Sequence, residues 1–276
     1  MATKTPAPTG DLATFAAETF THDRMTHRIF RKGRGPAVIV ITELPGISPQ
    51  VLGFADRVAA LGGTAVVPDL FGKAGRDPLS EGVSGLVGAL PTMLGVCISR
   101  EFTVLATGRS SPVTGWLRAL AGREHDRCGG PGVGVVGMCF TGGYALAMAV
   151  DPVVVAPVLS QPSSPLAVTR ACKRAIDCED RGLDAVARRC AAGLRVLGLR
   201  FHGDPFVPAE RFAFLRERLG EGFVAVELRQ EDGHPDEHLP WHHSVLTRGL
   251  VDEPGEPTRA ALDQVLDLFA DTLQLR

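Results

Sequence analysis

The chain has 276 residues, of which 45% are hydrophobic, and its formal net charge is −2. This size and composition suit a single globular α/β domain over residues 1–276, with about residues 1–22 as a flexible or peripheral segment. Lysine and arginine form no basic stripe, which excludes nucleic acid and acidic membrane surfaces as partners and leaves a small molecule as the expected ligand.

Short apolar runs alternate with amphipathic segments along the chain. Strands are predicted at residues 36–41, 64–67, 132–136, 153–159, 194–201 and 223–228. Helices are predicted at residues 49–61, from 111–112 onward, and at 144–150, 180–190, 208–219 and 257–273. The alternation predicts a mainly parallel central sheet with helices on both faces, whose ligands bind beyond the carboxyl ends of the strands.

The N-terminal residues and the cysteines indicate the compartment. Residues 1–10 are polar, and no apolar run approaches the roughly 18 residues that span a bilayer, so a cytoplasmic protein without a membrane segment is expected. In such a compartment cysteines are reduced thiols rather than a disulfide framework. The six cysteines are Cys97, Cys128, Cys139, Cys172, Cys178 and Cys190.

Cys139 lies in the segment GMCFTGG at residues 137–143, between an apolar strand and a helix that begins with glycine. Such a strand–turn–helix bend exposes its side chain at the carboxyl edge of the sheet and aims the next backbone N–H at the same point. Cys139 is therefore a candidate nucleophile. A buried structural cysteine beside a glycine-rich turn is the alternative.

Polar residues follow three other predicted strands, namely Glu43, Asp204 and a histidine-rich loop at residues 234–243. The order nucleophile, acid, histidine is the order of α/β-hydrolases, in which the acid orients a histidine that takes the proton of the nucleophile. Here the three residues are Cys139, Asp204 and His243. The alternative for Asp204 is a helix cap, because aspartate is common in such turns.

The histidine-rich loop has two further interpretations. It is a solvated polar loop, or it is a metal site, since it supplies ligand types at His234, Asp236, His238 and His242. With prolines between them, these residues match no helical H-x-x-x-H pattern, so no metal is predicted.

Four segments resemble the dienelactone hydrolase family of α/β-hydrolases, and the likeness extends over residues 36–248. They are ITELPG at 41–46, AVVPDLFG at 65–72, GMCF at 137–140 and GDPFVP at 203–208. The resemblance implies an α/β-hydrolase fold.

The resemblance also implies roles for individual residues. Cys139 corresponds to the nucleophile, Asp204 to the triad carboxylate, and Glu43 to a glutamate that interacts with the thiol and holds or relays its proton. Leu44 and Phe140 correspond to the residues whose backbone N–H groups form the oxyanion hole.

The sequence departs from the family pattern in three places. Thr141 stands where the family has the first glycine of a pair, and this β-branched residue is expected to widen the helix–strand contact. An insertion precedes His243, which is chosen as the base because Ser244 follows it, with His234 as the rival. The arginines that bind a substrate carboxylate have only Arg100 and Arg248 as candidates, by approximate position.

The function implied is hydrolysis of a small ester or lactone through a Cys–His–Asp triad, with a thioester intermediate and no cofactor or metal. Two alternatives remain. A catalytically degenerate hydrolase would act as a thiol redox or ligand-binding protein, which ester turnover distinguishes. A metallohydrolase using the histidine loop would be distinguished by its metal content. The sequence makes no prediction of the oligomeric state.

Overall fold

The computed structural model describes residues 4–72, 74–75, 111–163, 169–235, 237 and 240–275. Its strands are β1 (Ala16–His22), β2 (Met25–Gly33), β3 (Ala37–Ile41), β4 (Thr64–Asp69), β5 (Val133–Met138), β6 (Val154–Ser160), β7 (Val196–Phe201) and β8 (Phe223–Leu228). These described strands form one eight-stranded sheet in the order β1-β2-β4-β3-β5-β6-β7-β8.

The strands from β3 to β8 all run parallel, whereas β2 is antiparallel to both β1 and β4. The predicted α/β class with a mainly parallel sheet is therefore confirmed. In the centre of the sheet, Ile41 at the end of β3 is in register with Gly137 near the end of β5. Because these strands are parallel, the loops that follow them meet at one edge of the sheet.

Helices connect the strands. They are α1 (Pro49–Ala60), α2 (Val113–Cys128), α3 (Gly142–Met148), α4 (Arg170–Arg174), α5 (Asp180–Ala191), α6 (Ala209–Leu219) and α7 (Pro257–Leu273). The bounds of α7 and β8 coincide with the predicted ones, and α3 begins two residues before its predicted start. Within the described ranges, no helix combines the length and the apolar character needed to cross a membrane.

The limits of α1 follow from local sequence. The hydroxyl of Ser48 accepts a hydrogen bond from the backbone N–H of Val51, and Pro49 occupies the first turn, where a missing N–H costs nothing. The helix ends before Gly62, whose φ of +94° lies in the region that glycine adopts most readily. This agrees within one residue with the predicted helix at 49–61.

The core has two layers, one on each face of the sheet. Side chains alternate along β3. Ile39 and Ile41 belong to the layer that contains α2, α3, α5 and α6, while Val38 and Val40 belong to the layer that contains α1 and α7. All four side chains are fully buried. Each stabilises the fold by about 1.5–3 kcal/mol relative to exposure, and the result is the predicted arrangement of helices on both faces.

The hairpin of β1 and β2 has no counterpart in the predicted elements. Its turn residues, Asp23 and Arg24, have φ values of +46° and +68° without a glycine, so the usual hairpin signal is missing. Strand β1 lies at the edge of the sheet, and none of its residues is fully buried.

The segment before β1 is bonded to the domain. Pro6 forms an isolated antiparallel bridge with Val251, and the backbone N–H of Gly10 donates to the carbonyl of Pro49 at 2.8 Å. Ala7 and Phe15 are buried against the core, so the described part of this segment is packed onto the domain.

A buried ion pair connects the hairpin to the rest of the fold. Arg31 on β2 donates from Nε to Oε2 of Glu124 on α2 at 2.9 Å, and the Glu124 side chain is fully buried. A carboxylate removed from water in this way depends on its partner, because an unpaired buried charge is strongly unfavourable.

We expect Arg31→Met to lower the free energy of unfolding by about 3 kcal/mol, because it leaves the buried Glu124 charge with only the more distant Arg123, at 3.7 Å. Urea denaturation measures the change. Lys32→Met is the matched control: Lys32 pairs with Asp56 at 2.6 Å, but both side chains are about one-third exposed. That variant should lose less than about 1 kcal/mol, and equal losses would contradict the role given to Glu124.

Candidate active site

Cys139 lies where β5 ends at the carboxyl edge of the sheet. Its φ of +60° places it in the left-handed region, and the 3-10 turn Cys139–Thr141 leads directly into α3. A residue with a Cβ adopts this conformation at a cost of about 1–2 kcal/mol, so surrounding contacts must hold it there. The half-buried thiol thus stands on a sharp bend between strand and helix.

Glycines leave room for the bend. A Cβ on Gly137 would lie 2.1 Å from the carbonyl oxygen of Thr141, and one on Gly142 would lie 2.8 Å from Cα of Pro162. Backbone cannot move aside as a flexible side chain can. The glycines on both sides of Cys139 are therefore required by the close approach of turn, helix and the loop after β6.

Thr141 replaces a family glycine and adds hydrogen bonds to the bend. Its hydroxyl lies 2.7 Å from the carbonyl oxygen of Met138 and 3.1 Å from that of Ile41, and it accepts the N–H of Met138 at 2.9 Å. The side chain is fully buried. Thr141 therefore links the cysteine bend to the end of β3.

Asp204 and His243 are joined by a short hydrogen bond. Nδ1 of His243 lies 2.6 Å from Oδ2 of Asp204, and both side chains are buried. Asp204 follows β7, and its Oδ1 accepts the N–H of Phe206 at 2.9 Å. With both carboxylate oxygens bonded, Asp204 fixes the ring orientation of His243.

The His243 side chain is also near enough to that of Cys139 for the charge on the sulfur to act on the imidazole. Since Nδ1 faces Asp204, Nε2 is the ring nitrogen left for the thiol. Burial by itself lowers the pKa of His243, but the negative charges of the Cys139 thiolate and Asp204 raise it well above the ordinary value. The structure thus brings Cys139, His243 and Asp204 together, with the imidazole between the other two.

The thiol has a further neighbour that the sequence analysis missed. The Oγ of Ser163 lies 3.0 Å from Sγ of Cys139, and the N–H of Ser163 donates to the carbonyl of Cys139 at 3.0 Å. Ser163 follows β6. Its position just after a strand of the parallel sheet is the signal by which the sequence could have revealed it.

Glu43 accepts hydrogen bonds from three side chains near the site. Its Oε2 accepts from Ser244 at 2.8 Å and from Gln161 at 3.0 Å, and its Oε1 accepts from Thr247 at 2.5 Å. Glu43 therefore holds the loop that carries His243. Its expected interaction with the thiol of Cys139 stays a prediction.

The two expected oxyanion donors lie in neighbouring loops. Leu44 follows β3 and Phe140 follows β5, and the register of Ile41 with Gly137 brings these two strand ends side by side. The side chains of Leu44 and Phe140 pack against the same core cluster.

Glu237, in the inserted segment, holds the backbone of the loop that carries His243. Its carboxylate accepts the backbone N–H groups of His243 at 3.1 Å and of Ser244 at 2.9 Å. The same group lies 3.0 Å from Nδ1 of His242. The sequence analysis did not select Glu237, since an acidic residue in a polar loop has no distinguishing pattern.

His234, the rival base, has other partners. Its ring nitrogen Nε2 lies 3.1 Å from the carbonyl oxygen of Lys4, and its backbone N–H donates to the carbonyl of Gly249. Asp236 and His238 lie outside the described residues. Among the residues that are described, no three His, Cys, Asp or Glu side chains come together in a way that suits a metal ion.

Two arginines are the candidates for binding a substrate carboxylate. Arg100 lies outside the described residues. Arg248 is half-buried in the loop that follows His243. Binding of a substrate carboxylate by either residue stays a prediction.

Arg211 joins two of the loops around the site. This fully buried side chain on α6 donates to the carbonyls of Phe206 and Pro162 at 2.8 Å each, as well as to those of Ala175 and Cys172. Burial lowers its pKa to about 10. The loops that carry Asp204 and Ser163 are thereby held in a fixed relation.

Fold and site together define an α/β-hydrolase, and comparison with known families gives the group. The family model described as the dienelactone hydrolase family matches residues 26–177. The chain therefore belongs to the dienelactone hydrolase family, which confirms the resemblance found in the sequence. A comparison with curated proteins gives no match.

Solved structures share the fold at low sequence identity. A Klebsiella pneumoniae protein assigned as a dienelactone hydrolase is 15% identical, with a TM-score of 0.56 over 93% of this chain and 98% of its own. The 2,6-dihydroxy-pseudo-oxynicotine hydrolase is 16% identical, with a TM-score of 0.56 over 94% of this chain and 69% of its own. Puromycin hydrolase is 14% identical, with a TM-score of 0.60 over 95% of this chain and 40% of its own. At these identities the likeness concerns the fold alone.

Replacing Thr141 tests the bond between the cysteine bend and β3. Thr141→Val keeps the shape but removes the hydroxyl, leaving buried backbone groups without their partner, and should lower the free energy of unfolding by about 1–3 kcal/mol. Thr141→Ser keeps the hydroxyl and should lose less than half as much. Urea denaturation measures the free energy of unfolding of both variants. Equal losses would mean that packing, and not the hydroxyl, accounts for the contribution of Thr141.

The pKa of His243 tests its coupling to the thiol. Because the folded-state pKa is raised, the stabilisation that it contributes is fully present below the unfolded-state value near 6.5 and is lost as the pH rises through the folded-state value. Cys139→Ser removes the sulfur whose charge raises the pKa of His243, so NMR titration should find that pKa lowered. Cys190→Ser, on α5, should leave that pKa unchanged. An unaltered titration in Cys139→Ser would contradict the coupling.

Proposed function

We propose that the protein hydrolyses small ester or lactone substrates, with Cys139 as nucleophile, His243 as general base and Asp204 as the acid that orients it. The observation that carries the proposal is the buried imidazole, bonded through Nδ1 to Asp204 and in contact with the half-buried thiol of Cys139 on a strand–helix bend. Membership of a hydrolase family supports the same reaction type.

The first half of the reaction follows from the positions of the protons. Asp204 accepts the Nδ1 proton of His243, so Nε2 is the nitrogen that takes the proton of the thiol. The raised pKa of His243 favours the imidazolium form beside a thiolate. The thiolate attacks the ester carbonyl, the C–O bond to the leaving group breaks, and the imidazolium gives its proton to the departing oxygen.

The second half restores the thiol. His243 takes a proton from a water molecule, the hydroxide attacks the thioester, and the C–S bond breaks. The carboxylic acid product leaves, and the sulfur recovers its proton from the imidazolium. In each half, backbone N–H groups of Leu44 and Phe140 are proposed to bind the tetrahedral oxyanion, each contributing about 3 kcal/mol.

Two further polar residues receive roles. Glu43 is proposed as a positioning residue, since it accepts hydrogen bonds from Ser244 and Thr247 in the loop that carries His243. Ser163 is proposed to donate a hydrogen bond from its hydroxyl to the thiolate, which its distance of 3.0 Å from Sγ permits.

Replacement of the nucleophile and the base tests the proposal. Cys139→Ala and His243→Ala should each lower kcat/KM for phenyl acetate and for a small lactone at least about 1,000-fold, because the members of such a triad act as a unit. Cys172→Ser and His234→Gln are the controls and should retain activity. Circular dichroism checks that every variant folds.

Each outcome has a defined meaning. Full activity of folded Cys139→Ala would reject the cysteine mechanism, and full activity of His243→Ala would reject this base. A wild-type protein whose Cys139 reacts with iodoacetamide but turns over no ester or lactone would favour the thiol redox or ligand-binding alternative. Mass spectrometry of wild-type protein after brief mixing with phenyl acetate should detect an acetyl group on Cys139.

A further inference from the structure

Phe206 is unusual among the described residues, because it is the one large apolar side chain that is more than one-third exposed, at 37%. A single exposed apolar residue needs no explanation by itself. What distinguishes Phe206 is its position, two residues after Asp204 in the loop that follows β7. Its backbone is firmly held, because its N–H bonds to Asp204 and its carbonyl accepts from Arg211.

Two other aromatic rings stand against Phe206. The ring centroid of Trp241 lies 5.7 Å away at an interplanar angle of 64°, and that of the His243 imidazole lies 5.8 Å away at 80°. These edge-to-face arrangements lie within the preferred range for aromatic pairs. Phe206 and Trp241, which we call the aromatic wall, are therefore continuous with the imidazole of the proposed base.

The aromatic wall carries no charge of its own. Each of its rings follows a proline, Pro205 or Pro240, and both prolines are exposed. The nearby carboxylates already have hydrogen-bond partners, since Asp204 bonds to His243 and Glu237 accepts backbone N–H groups. A surface of this composition suits a flat, uncharged, apolar group.

The bond between Asp204 and His243 decides which end of an ester would meet the aromatic wall. With Nδ1 committed to Asp204, Nε2 must deliver the proton to the departing oxygen, which has to come within about 2.6–3.2 Å of it. Any group attached to that oxygen then lies beside the imidazole. Phe206 stands beside the same ring and Trp241 stands beside Phe206, so the aromatic wall faces the alcohol part of the ester rather than its acyl part.

We propose that the aromatic wall of Phe206 and Trp241 binds the leaving group, and that the protein prefers esters of aromatic alcohols such as phenols. This preference rests on the proposed function. It adds the class of substrate and the part of the site that binds the leaving group. Trp241 belongs to the segment inserted before His243, so the preference is a property of this chain rather than of the family pattern.

Selectivity between two acetate esters tests the proposal in kinetics. Phenyl acetate and trifluoroethyl acetate share the acyl group and both carry activated leaving groups, but only the first is aromatic. Phe206→Leu keeps an apolar side chain and removes the ring, and should lower the ratio of kcat/KM for phenyl over trifluoroethyl acetate about 3- to 10-fold. Phe214→Ala, on α6 and away from the wall, should leave the ratio unchanged.

Other kinetic outcomes overturn the proposal. If both esters lose rate equally in Phe206→Leu, the ring only packs against His243 and does not bind substrate. A third ester, trifluoroethyl phenylacetate, carries its aromatic ring on the acyl side. If Phe206→Leu lowers the preference for this ester over trifluoroethyl acetate instead, the assignment to the leaving group is wrong.

A binding experiment separates failure of this proposal from failure of the proposed function, because it needs no turnover. The chain has 2 tryptophans, so NMR spectra contain two indole N–H signals, which Trp241→Phe assigns. In Cys139→Ala, phenol should shift the Trp241 signal and leave that of the fully buried Trp116 unchanged, whereas cyclohexanol should bind more weakly. Phe206→Leu should weaken the phenol effect at least about 3-fold. If phenol leaves the Trp241 signal unmoved, or Phe206→Leu binds phenol as well as its parent, there is no aromatic wall, whether or not the protein hydrolyses esters.

Discussion

The left-handed backbone of Cys139 is the constraint on which the site depends. Its φ of +60° is unfavourable for a residue with a Cβ, so the conformation persists only because neighbouring groups leave no alternative. The Thr141 hydroxyl bonds within the turn and to the end of β3, and Gly137 allows the turn to close. The Thr141 hydroxyl that holds the strained cysteine therefore also fixes the end of β3, two residues before Glu43.

A buried polar layer positions the imidazole. Glu43 holds the loop after β8 through Ser244 and Thr247, and Glu237 holds it through the backbone N–H groups of His243 and Ser244. Buried carboxylates are tolerable only when they are hydrogen-bonded, so the loop and both carboxylates stabilise one another. The inserted segment, which supplies both Glu237 and Trp241, thus contributes to the orientation of the base and to the wall beside it.

The alternation of strands and helices could be predicted from the sequence. Residues 223–228 and 257–273 form β8 and α7 with their predicted bounds, because apolar periodicity and caps act between near neighbours in sequence. The position of Cys139 on a bend follows from the same local pattern of glycines and apolar residues. The hairpin of β1 and β2 was missed, because its turn lacks glycine and its outer strand is largely exposed.

The partners around the thiol depended on strand order, which only the tertiary structure decided. Glu43 and Thr247 are 204 positions apart, and no local pattern indicates that their side chains meet. Ser163 reaches Cys139 because β6 lies beside β5 in the sheet, and it left no motif in the sequence. Sequence therefore determined which residue types stand at the strand ends, because that depends on short-range periodicity. The sheet determined which of them touch, because parallel pairing brings together loops that are distant along the chain.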